Sequence, residues 1–192
     1  MNKISFVTSN KNKFLTLSKK LKDVAVRLEH ANVNLIEPQT STIKEVAIFK
    51  AQEAFKILQH PVLVHDSGLT ITALNDFPGP YTKYVSETIG NIGILDLLKN
   101  HSDRSAYLVQ TFCYTDSQRT LCFSDSVKGH ILNSMQPNIQ NTKWGNIWDI
   151  FAPGDLNYSR SNLSDEEYFA IRSHIQTNSA WDELYNFLKN LK

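Results

Sequence analysis

The chain has 192 residues, and its 20 Lys and Arg residues against 19 Asp and Glu residues leave a net charge of +1. A content of 41% hydrophobic and 20% charged residues is that of an ordinary folded domain and excludes intrinsic disorder as the default. The balanced charge argues against a basic surface for nucleic acid. No apolar run approaches the roughly 20 residues that cross a bilayer, and the first ten residues lack the apolar core of a signal peptide. We therefore expect one domain over residues 1–192, located in the cytoplasm, without nucleic-acid or membrane partners.

The first half of the chain shows strand and helix patterns in turn. The predicted elements are a strand at residues 4–8, a helix at 11–22, a strand at 24–28, a helix that begins at the capping box of Thr42 and Glu45 and ends before Pro61, and a buried strand at 62–64. Residues 69–74 are predicted as strand or loop, and residues 75–80 as a turn because they are rich in Asn, Asp, Pro and Gly.

The second half contains more β-structure. Here the sequence predicts a helix at residues 91–100, a β-hairpin followed by a third strand over 105–115 and 119–132, an irregular stretch at 136–162, a helix from the capping box of Ser164 and Glu167 to about residue 175, and a last amphipathic helix around 181–188. This order predicts an α/β fold with a mixed twisted sheet, flanking helices and two lobes around a central cleft. Clefts of that kind are common ligand sites.

The two cysteines, Cys113 and Cys122, are too few for a disulfide framework. An intracellular compartment favours free and buried thiols, which is what we expect here. The alternative is that both residues lie opposite each other on the predicted hairpin.

Six polar residues join the first predicted strand to the first predicted helix: Thr8, Ser9, Asn10, Lys11, Asn12 and Lys13. Free backbone N–H groups and the positive end of the helix dipole attract phosphate at such a junction, and the two lysines add charge. The segment has no glycine, so it is neither a Walker A loop nor a dinucleotide-binding loop. The alternative is an asparagine helix cap with solvated lysines.

An acidic residue follows the third predicted strand. Asp66 lies at the carboxyl edge of the sheet, where α/β proteins bind ligands, and its carboxylate can bind Mg²⁺ or activate a water molecule. His65 can carry a proton or bind a metal, and Glu37, in a polar loop, can share Mg²⁺ with Asp66. The alternatives are a turn that Asp66 caps and a solvated loop glutamate.

Two later segments can contact a nucleoside. Within the aromatic segment from Trp144 to Phe151, Trp148 can stack on a base and Asp149 can hydrogen-bond to a base or ribose edge. Aromatic packing inside a lobe explains this segment equally well. His174, in Arg172-Ser173-His174, is a candidate near a helix end, where a charged helix terminus is the alternative.

Together, these motifs resemble the inosine triphosphate pyrophosphatase family. Thr8, Asn10 and Lys13 match its T-x-N-x-x-K phosphate loop, and residues 62–69 resemble its strand-acid-Asp-Ser-Gly motif. Residues 73–81 resemble its A-L-x-x-x-P-G-x-Y run. Glu37 resembles the metal-binding glutamate of the family. Lys50 also falls in register with the family's sequence pattern.

The resemblance implies the fold of this family, also described as anticodon-binding-like, with a nucleotide in the cleft. It implies that a homodimer hydrolyses a noncanonical purine nucleoside triphosphate to the monophosphate and pyrophosphate with the help of Mg²⁺. Asp66 would be the catalytic residue and would share the metal with Glu37. The residues implied to contact the substrate are Thr8, Ser9, Asn10, Lys11, Asn12, Lys13, Lys50, Ser67, Trp148, Asp149 and His174.

Three departures from the family pattern leave the activity open. His65 stands where the family has a second acid, and Tyr168 stands where it has a substrate-binding lysine. The Ser-His-Arg motif that recognises the base is replaced by Arg172-Ser173-His174. The alternatives are therefore a nucleotide-binding paralogue that has lost turnover and a pyrophosphatase with a changed base specificity, as in the related Maf-like pyrophosphatases.

Overall fold

The computed structural model describes residues 2–138, 146–175 and 179–191. Its strands are β1 (Asn2–Val7), β2 (Val26–Ala31), β3 (Val62–Ile71), β4 (Ser105–Thr115), β5 (Thr120–Ile131) and β6 (Phe151–Pro153). They form one sheet in the order β2-β1-β3-β4-β5-β6. β1 pairs in parallel with β2 and β3, whereas β6 pairs antiparallel with β5. This mixed sheet and its helices confirm the predicted α/β class.

The α-helices of the described residues are α1 (Lys11–Lys20), α2 (Ile43–Leu58), α3 (Thr82–Glu87), α4 (Gly90–Leu97), α5 (Asp165–Ile175) and α6 (Ala180–Lys189). Among them, none is both long and apolar enough to cross a membrane. The capping box that begins α2 is confirmed, because Thr42 Oγ1 accepts the Glu45 N–H and Glu45 Oε2 accepts the Thr42 N–H, each at 3.2 Å. The box of Ser164 and Glu167 before α5 is confirmed in the same way.

The chain forms two compact units, each made of separate segments. Unit 1 comprises Met1–Asp66, Gln110–Asp125 and Asn178–Lys192, and unit 2 comprises Ser67–Val109 and Ser126–Thr177. Two units of one chain can still fold as one domain, so the single domain over residues 1–192 stays a prediction.

In unit 1, helices cover both faces of the sheet. One face packs Ile4, Phe6, Leu63 and Phe112 against apolar residues of α1 and α6. The other face packs Val62 and Val64 against three alanines of α2 that have no exposed surface: Ala47, Ala51 and Ala54. Small side chains three or four residues apart let α2 approach the sheet closely, and this holds Lys50 of α2 beside the middle of β3.

Unit 2 has its own apolar core. Leu69 and Ile71 of β3 pack with Ile94 and Leu98 around α4, and Phe151 of β6 completes this cluster. The sequence did not predict α3, because this six-residue helix buries only Val85 and so shows no apolar periodicity. The prediction that the buried strand ends at residue 64, with Asp66 after it at the carboxyl edge of the sheet, is wrong, since β3 continues through His65 and Asp66 to Ile71.

The prediction of two free thiols is wrong. Cys113 of β4 and Cys122 of β5 form a disulfide, and the described residues include no free cysteine. The hairpin register explains the pairing, because the side chains of Thr111 and Ser124 hydrogen-bond across the same two strands and put Cys113 opposite Cys122. The alternative, in which both residues lie opposite each other on the hairpin, is confirmed.

Candidate functional site

A lysine of α2 joins the two carboxylates that the sequence predicts as metal ligands. Lys50 Nζ lies 3.0 Å from Glu37 Oε1 and 2.9 Å from Asp66 Oδ1. The side chains of Lys50 and Asp66 are each 17% exposed, whereas that of Glu37 is 61% exposed. The three residues come from a loop, a helix and a strand of unit 1, so only the folded chain brings them together.

The alternation of β3 decides which side chain reaches this cluster. Leu63 and His65 face α1 and α6, whereas Val62, Val64 and Asp66 face α2. The ring of His65 stacks on Phe112 at a centroid distance of 4.2 Å and an interplanar angle of 13°. The structure therefore places the His65 ring in an aromatic cluster on the opposite face of the strand from Asp66.

The predicted phosphate loop combines a helix cap with an inward-directed lysine. Asn10 caps α1, since its Oδ1 accepts the backbone N–H groups of Asn12 at 2.9 Å and Lys13 at 3.2 Å. Lys13 Nζ donates a 3.1 Å hydrogen bond to the carbonyl oxygen of His65, the residue before Asp66. The asparagine cap is thus present, but Lys13 is directed toward the middle of β3 and is not a solvated lysine.

The other predicted residues of this loop lie at the surface or close to it. Ser9 and Lys11 are exposed, and Thr8 is half-buried, with its Oγ1 accepting the Asn10 N–H at 3.1 Å. Ser67 follows Asp66 directly on β3 and is exposed. Their contacts to a substrate stay predictions.

Burial and charge move the pKa values of the two lysines in opposite directions. Desolvation lowers the pKa of Lys13, and the nearby charge of Asp66 offsets this only in part. Desolvation also acts on Lys50, but the charges and hydrogen bonds of Asp66 and Glu37 outweigh it and raise the pKa of Lys50. Both ammonium groups are close to Asp66, so each can neutralise an anionic group, either this carboxylate or the phosphate of a ligand.

The carboxylates of this cluster fit a hard divalent cation. Asp66 Oδ2 is buried and has no hydrogen-bond partner in the described part of the chain, so one oxygen of the catalytic candidate retains its acceptor capacity. The described residues contain no group of three or more His, Cys, Asp or Glu that could hold a metal. Mg²⁺ typically takes only one or two carboxylates together with substrate phosphates and waters, and Glu37 with Asp66 meets that need.

The nucleoside candidates Trp148 and Asp149 lie in a short 3₁₀ turn of unit 2 (Asn146–Asp149). Trp144, the first residue of the predicted aromatic segment, lies outside the described residues. The guanidinium carbon of Arg160 lies 4.4 Å from the centroid of Trp148, a contact with no local sequence signal because Arg160 lies in an irregular stretch. Asp149 Oδ1 is buried and has no hydrogen-bond partner among the described residues.

Helix α5 carries the remaining candidates on different faces. Tyr168 and Arg172, four residues apart, are both buried, with 8% and 6% of their surfaces exposed. Ser173 and His174 are exposed. The buried face of α5 thus carries the tyrosine that replaces the expected lysine, whereas a contact of His174 with a substrate stays a prediction.

We expect the charge of Asp149 to cost stability at neutral pH. Desolvation raises the pKa of Asp149, and a hydrogen bond from Ser161 opposes this only in part. A raised pKa means that the folded state binds the proton of Asp149 more tightly than the unfolded state does. Protonation of Asp149 therefore stabilises the fold at low pH, and this stabilisation is lost as the pH rises through the pKa of folded Asp149. Asp149→Asn should therefore raise the urea midpoint at pH 7, and the gain should disappear at acid pH. Exposed Asp155 provides the control, and an unchanged midpoint in Asp149→Asn at pH 7 would contradict the expected cost.

The chain is similar to proteins of known structure and name along most of its length. The model of the Ham1 family matches residues 4–175. A dITP/XTP pyrophosphatase of Saccharolobus solfataricus is 40% identical over a region that covers 71% of this chain and 71% of that protein. An inosine triphosphate pyrophosphatase of Scheffersomyces stipitis is 34% identical over a region that covers 98% of this chain and 98% of that protein. The solved structure of a HAM1 protein from Coxiella burnetii matches with a TM-score of 0.83 and 25% identity over 100% of both chains.

Proposed function

The chain belongs to the Ham1 family, and from that premise we propose that it is a Mg²⁺-dependent nucleoside triphosphate pyrophosphatase. It would convert a noncanonical purine nucleoside triphosphate to the monophosphate and pyrophosphate. The relatives named above are described as pyrophosphatases of dITP and XTP or of inosine triphosphate, which supports this substrate class.

The arrangement of Lys50 between Glu37 and Asp66 carries the proposal. Its Nζ is within 3.0 Å of both carboxylates, and a second lysine, Lys13, donates to the backbone at the residue before Asp66. A cluster of two cations and two carboxylates can neutralise the phosphates and still offer oxygen ligands to a metal. The binding of a nucleoside without phosphates would not require this combination.

We assign the roles from the chemistry of each group. Asp66 orients the attacking water and accepts its proton, while the bond between the α-phosphorus and the oxygen that bridges to the β-phosphorus breaks. Lys13 and Lys50 neutralise the charge that develops on the phosphate oxygens. Thr8 and Asn10 align the phosphates. Trp148 and Asp149 contact the nucleoside.

Glu37 and Asp66 would hold Mg²⁺ through their carboxylate oxygens. The metal would polarise the phosphate oxygens when bound. The acceptor capacity of buried Asp66 Oδ2 supports this assignment. Removal of divalent cations with a chelator should abolish turnover, and added Mg²⁺ should restore it.

A hydrolysis assay with a panel of nucleoside triphosphates and detection of pyrophosphate tests the proposal. Release of pyrophosphate from inosine or xanthosine triphosphate supports it. Turnover of a pyrimidine or modified nucleotide alone would favour a changed base specificity. Measurable binding with no turnover of any nucleotide would identify a nucleotide-binding paralogue, the alternative that Tyr168 and His65 motivate.

We expect the kcat/KM of this protein for inosine triphosphate to exceed that for adenosine triphosphate by less than about tenfold. This ratio corresponds to a difference of roughly 1.4 kcal/mol in transition-state binding free energy. Tyr168 stands where the family resemblance expects a lysine, and His174 is exposed. The loss of such polar contacts should flatten the discrimination of the six-position oxygen from an amino group. A preference of about a hundredfold or more, roughly 2.7 kcal/mol, would show that other groups recognise the base.

We also propose a homodimer, as the resemblance implies. On α3 and α4 of unit 2, the large side chains of Tyr84 and Ile92 are 68% and 66% exposed and are candidates for the contact between two chains. In sedimentation experiments, the protein should have twice the mass of one chain, and Ile92→Glu should shift it toward the single chain. The cytoplasmic location stays a prediction.

A further inference from the structure

Arg160 is one of the most deeply buried side chains of the molecule, although it is a cation. Only 1% of its surface is exposed. Two hydrogen bonds hold its guanidinium, one to the carbonyl oxygen of Leu163 at 2.7 Å and one to Asp165 Oδ1 at 2.6 Å. Its Nε is buried and has no hydrogen-bond partner in the residues that the structure describes. A buried and incompletely satisfied charge is unfavourable for folding, so its presence requires another explanation.

The guanidinium contacts two aromatic rings of unit 2, one of which belongs to the nucleoside candidate Trp148. Its central carbon lies 4.4 Å from the centroid of Trp148 and 4.1 Å from that of Tyr168. The two rings are themselves 6.4 Å apart. A flat guanidinium can stack on an aromatic face, whereas a lysine ammonium can only act as a point charge.

The residue after Arg160 contacts the other nucleoside candidate. The side chain of Ser161 hydrogen-bonds to Asp149, and Ser161 has no exposed surface. Adjacent residues of one buried turn (Arg160–Asn162) therefore contact adjacent residues of the turn that carries Trp148 and Asp149.

We propose that Arg160 is a positioning residue for nucleoside binding. It holds the Trp148 ring in the orientation that stacks on a base, and it provides positive charge beside Tyr168, which stands where the family resemblance expects a lysine. This inference rests on the proposed function, because it assigns Trp148 to the nucleoside.

A purely structural role would place the main effect of Arg160 on its ion pair with Asp165. The side chain of Asp165 is 55% exposed, so solvent screens this pair and its loss should matter little. An apolar side chain of similar length would fill the same volume without the cost of burying a charge. If Arg160 positions the nucleoside site, removing the cation should weaken nucleoside binding and removing its acidic partner should not. If the ion pair alone matters, both changes should have the same effect on nucleoside binding.

The test compares Arg160→Met with Asp165→Asn, which removes the charge of the acidic partner and leaves the guanidinium beside both rings. Calorimetry with inosine monophosphate probes the nucleoside end, and calorimetry with inorganic pyrophosphate probes the phosphate end. Arg160→Met should weaken inosine monophosphate binding by about tenfold and leave pyrophosphate binding unchanged. The KM for inosine triphosphate should rise while kcat stays constant, because a contact to the nucleoside is equally strong in the ground state and the transition state. Asp165→Asn should leave both affinities within about twofold of the wild type, as expected for a screened ion pair.

Equal losses of inosine monophosphate binding in Arg160→Met and Asp165→Asn would overturn the proposal, because the ion pair would then be sufficient to explain them. Unchanged binding in Arg160→Met would overturn it as well, and so would a wild-type protein that does not bind inosine monophosphate. If Arg160→Met does not fold, Arg160→Lys tests the stacking alone, since it keeps the charge and loses the flat guanidinium, and unchanged inosine monophosphate binding in this variant would also overturn the proposal. A wild-type protein that binds inosine monophosphate but cleaves no triphosphate would refute the proposed function. The binding measurements on the variants would then still decide whether Arg160 positions the nucleoside site.

Discussion

Asp66→Asn should reduce the rate of triphosphate hydrolysis by about two to four orders of magnitude, the range expected for the loss of a general base. The amide is nearly isosteric with the carboxylate, but it accepts a proton poorly and offers a metal no charge. The substitution also removes one of the two carboxylates that raise the pKa of Lys50. We therefore expect the loss to appear mainly in kcat, measured by pyrophosphate release.

The fold of Asp66→Asn should survive. Asp66 Oδ1 has its hydrogen bond to Lys50, but Oδ2 has no partner in the described residues, and Lys50 keeps Glu37 as an acidic partner. The free energy of unfolding should fall by about 1 kcal/mol, as for the loss of one hydrogen bond. Asp23→Asn, an exposed change in the same unit, is the control. Full turnover by Asp66→Asn would exclude Asp66 as the catalytic residue.

Lys13→Ala should weaken triphosphate binding by about ten- to hundredfold, which corresponds to a charge-assisted hydrogen bond of about 1.5–3 kcal/mol. The binding of the nucleoside alone should hardly change, because Lys13 is assigned to the phosphates. The difference between wild type and variant should shrink with added salt. It should also shrink as the pH rises, since burial lowers the pKa of Lys13 and this lysine loses its proton before an exposed lysine does.

Calorimetry with the triphosphate and the nucleoside separates the two contributions. Lys22→Ala, an exposed lysine just after α1, controls for the general effect of one positive charge. Equal losses of affinity for the triphosphate and the nucleoside would instead make Lys13 a structural lysine, held by the carbonyl oxygen of His65.

Interactions between residues close in sequence were predictable from the chain alone. The two capping boxes each join a residue to the third residue after it, and the structure confirms both. The buried strand at residues 62–64 was likewise predictable from its run of apolar residues, and these residues form the start of β3. Such features depend on local backbone conformation, which a few neighbouring side chains determine.

The sequence by itself determined the fold class and the family resemblance, and it predicted the residues of the candidate active site. Only the tertiary structure decided which of these side chains meet, because contacts between distant residues depend on strand register and on the packing of helices. It brought Lys50 to Asp66, 16 residues along the chain, and it turned the neighbouring His65 to the opposite face of β3. It paired Cys113 with Cys122 through the register of a hairpin. It also buried Arg160 against Trp148, a contact for which no local pattern exists, because the two residues belong to different turns that pack together only in the folded unit.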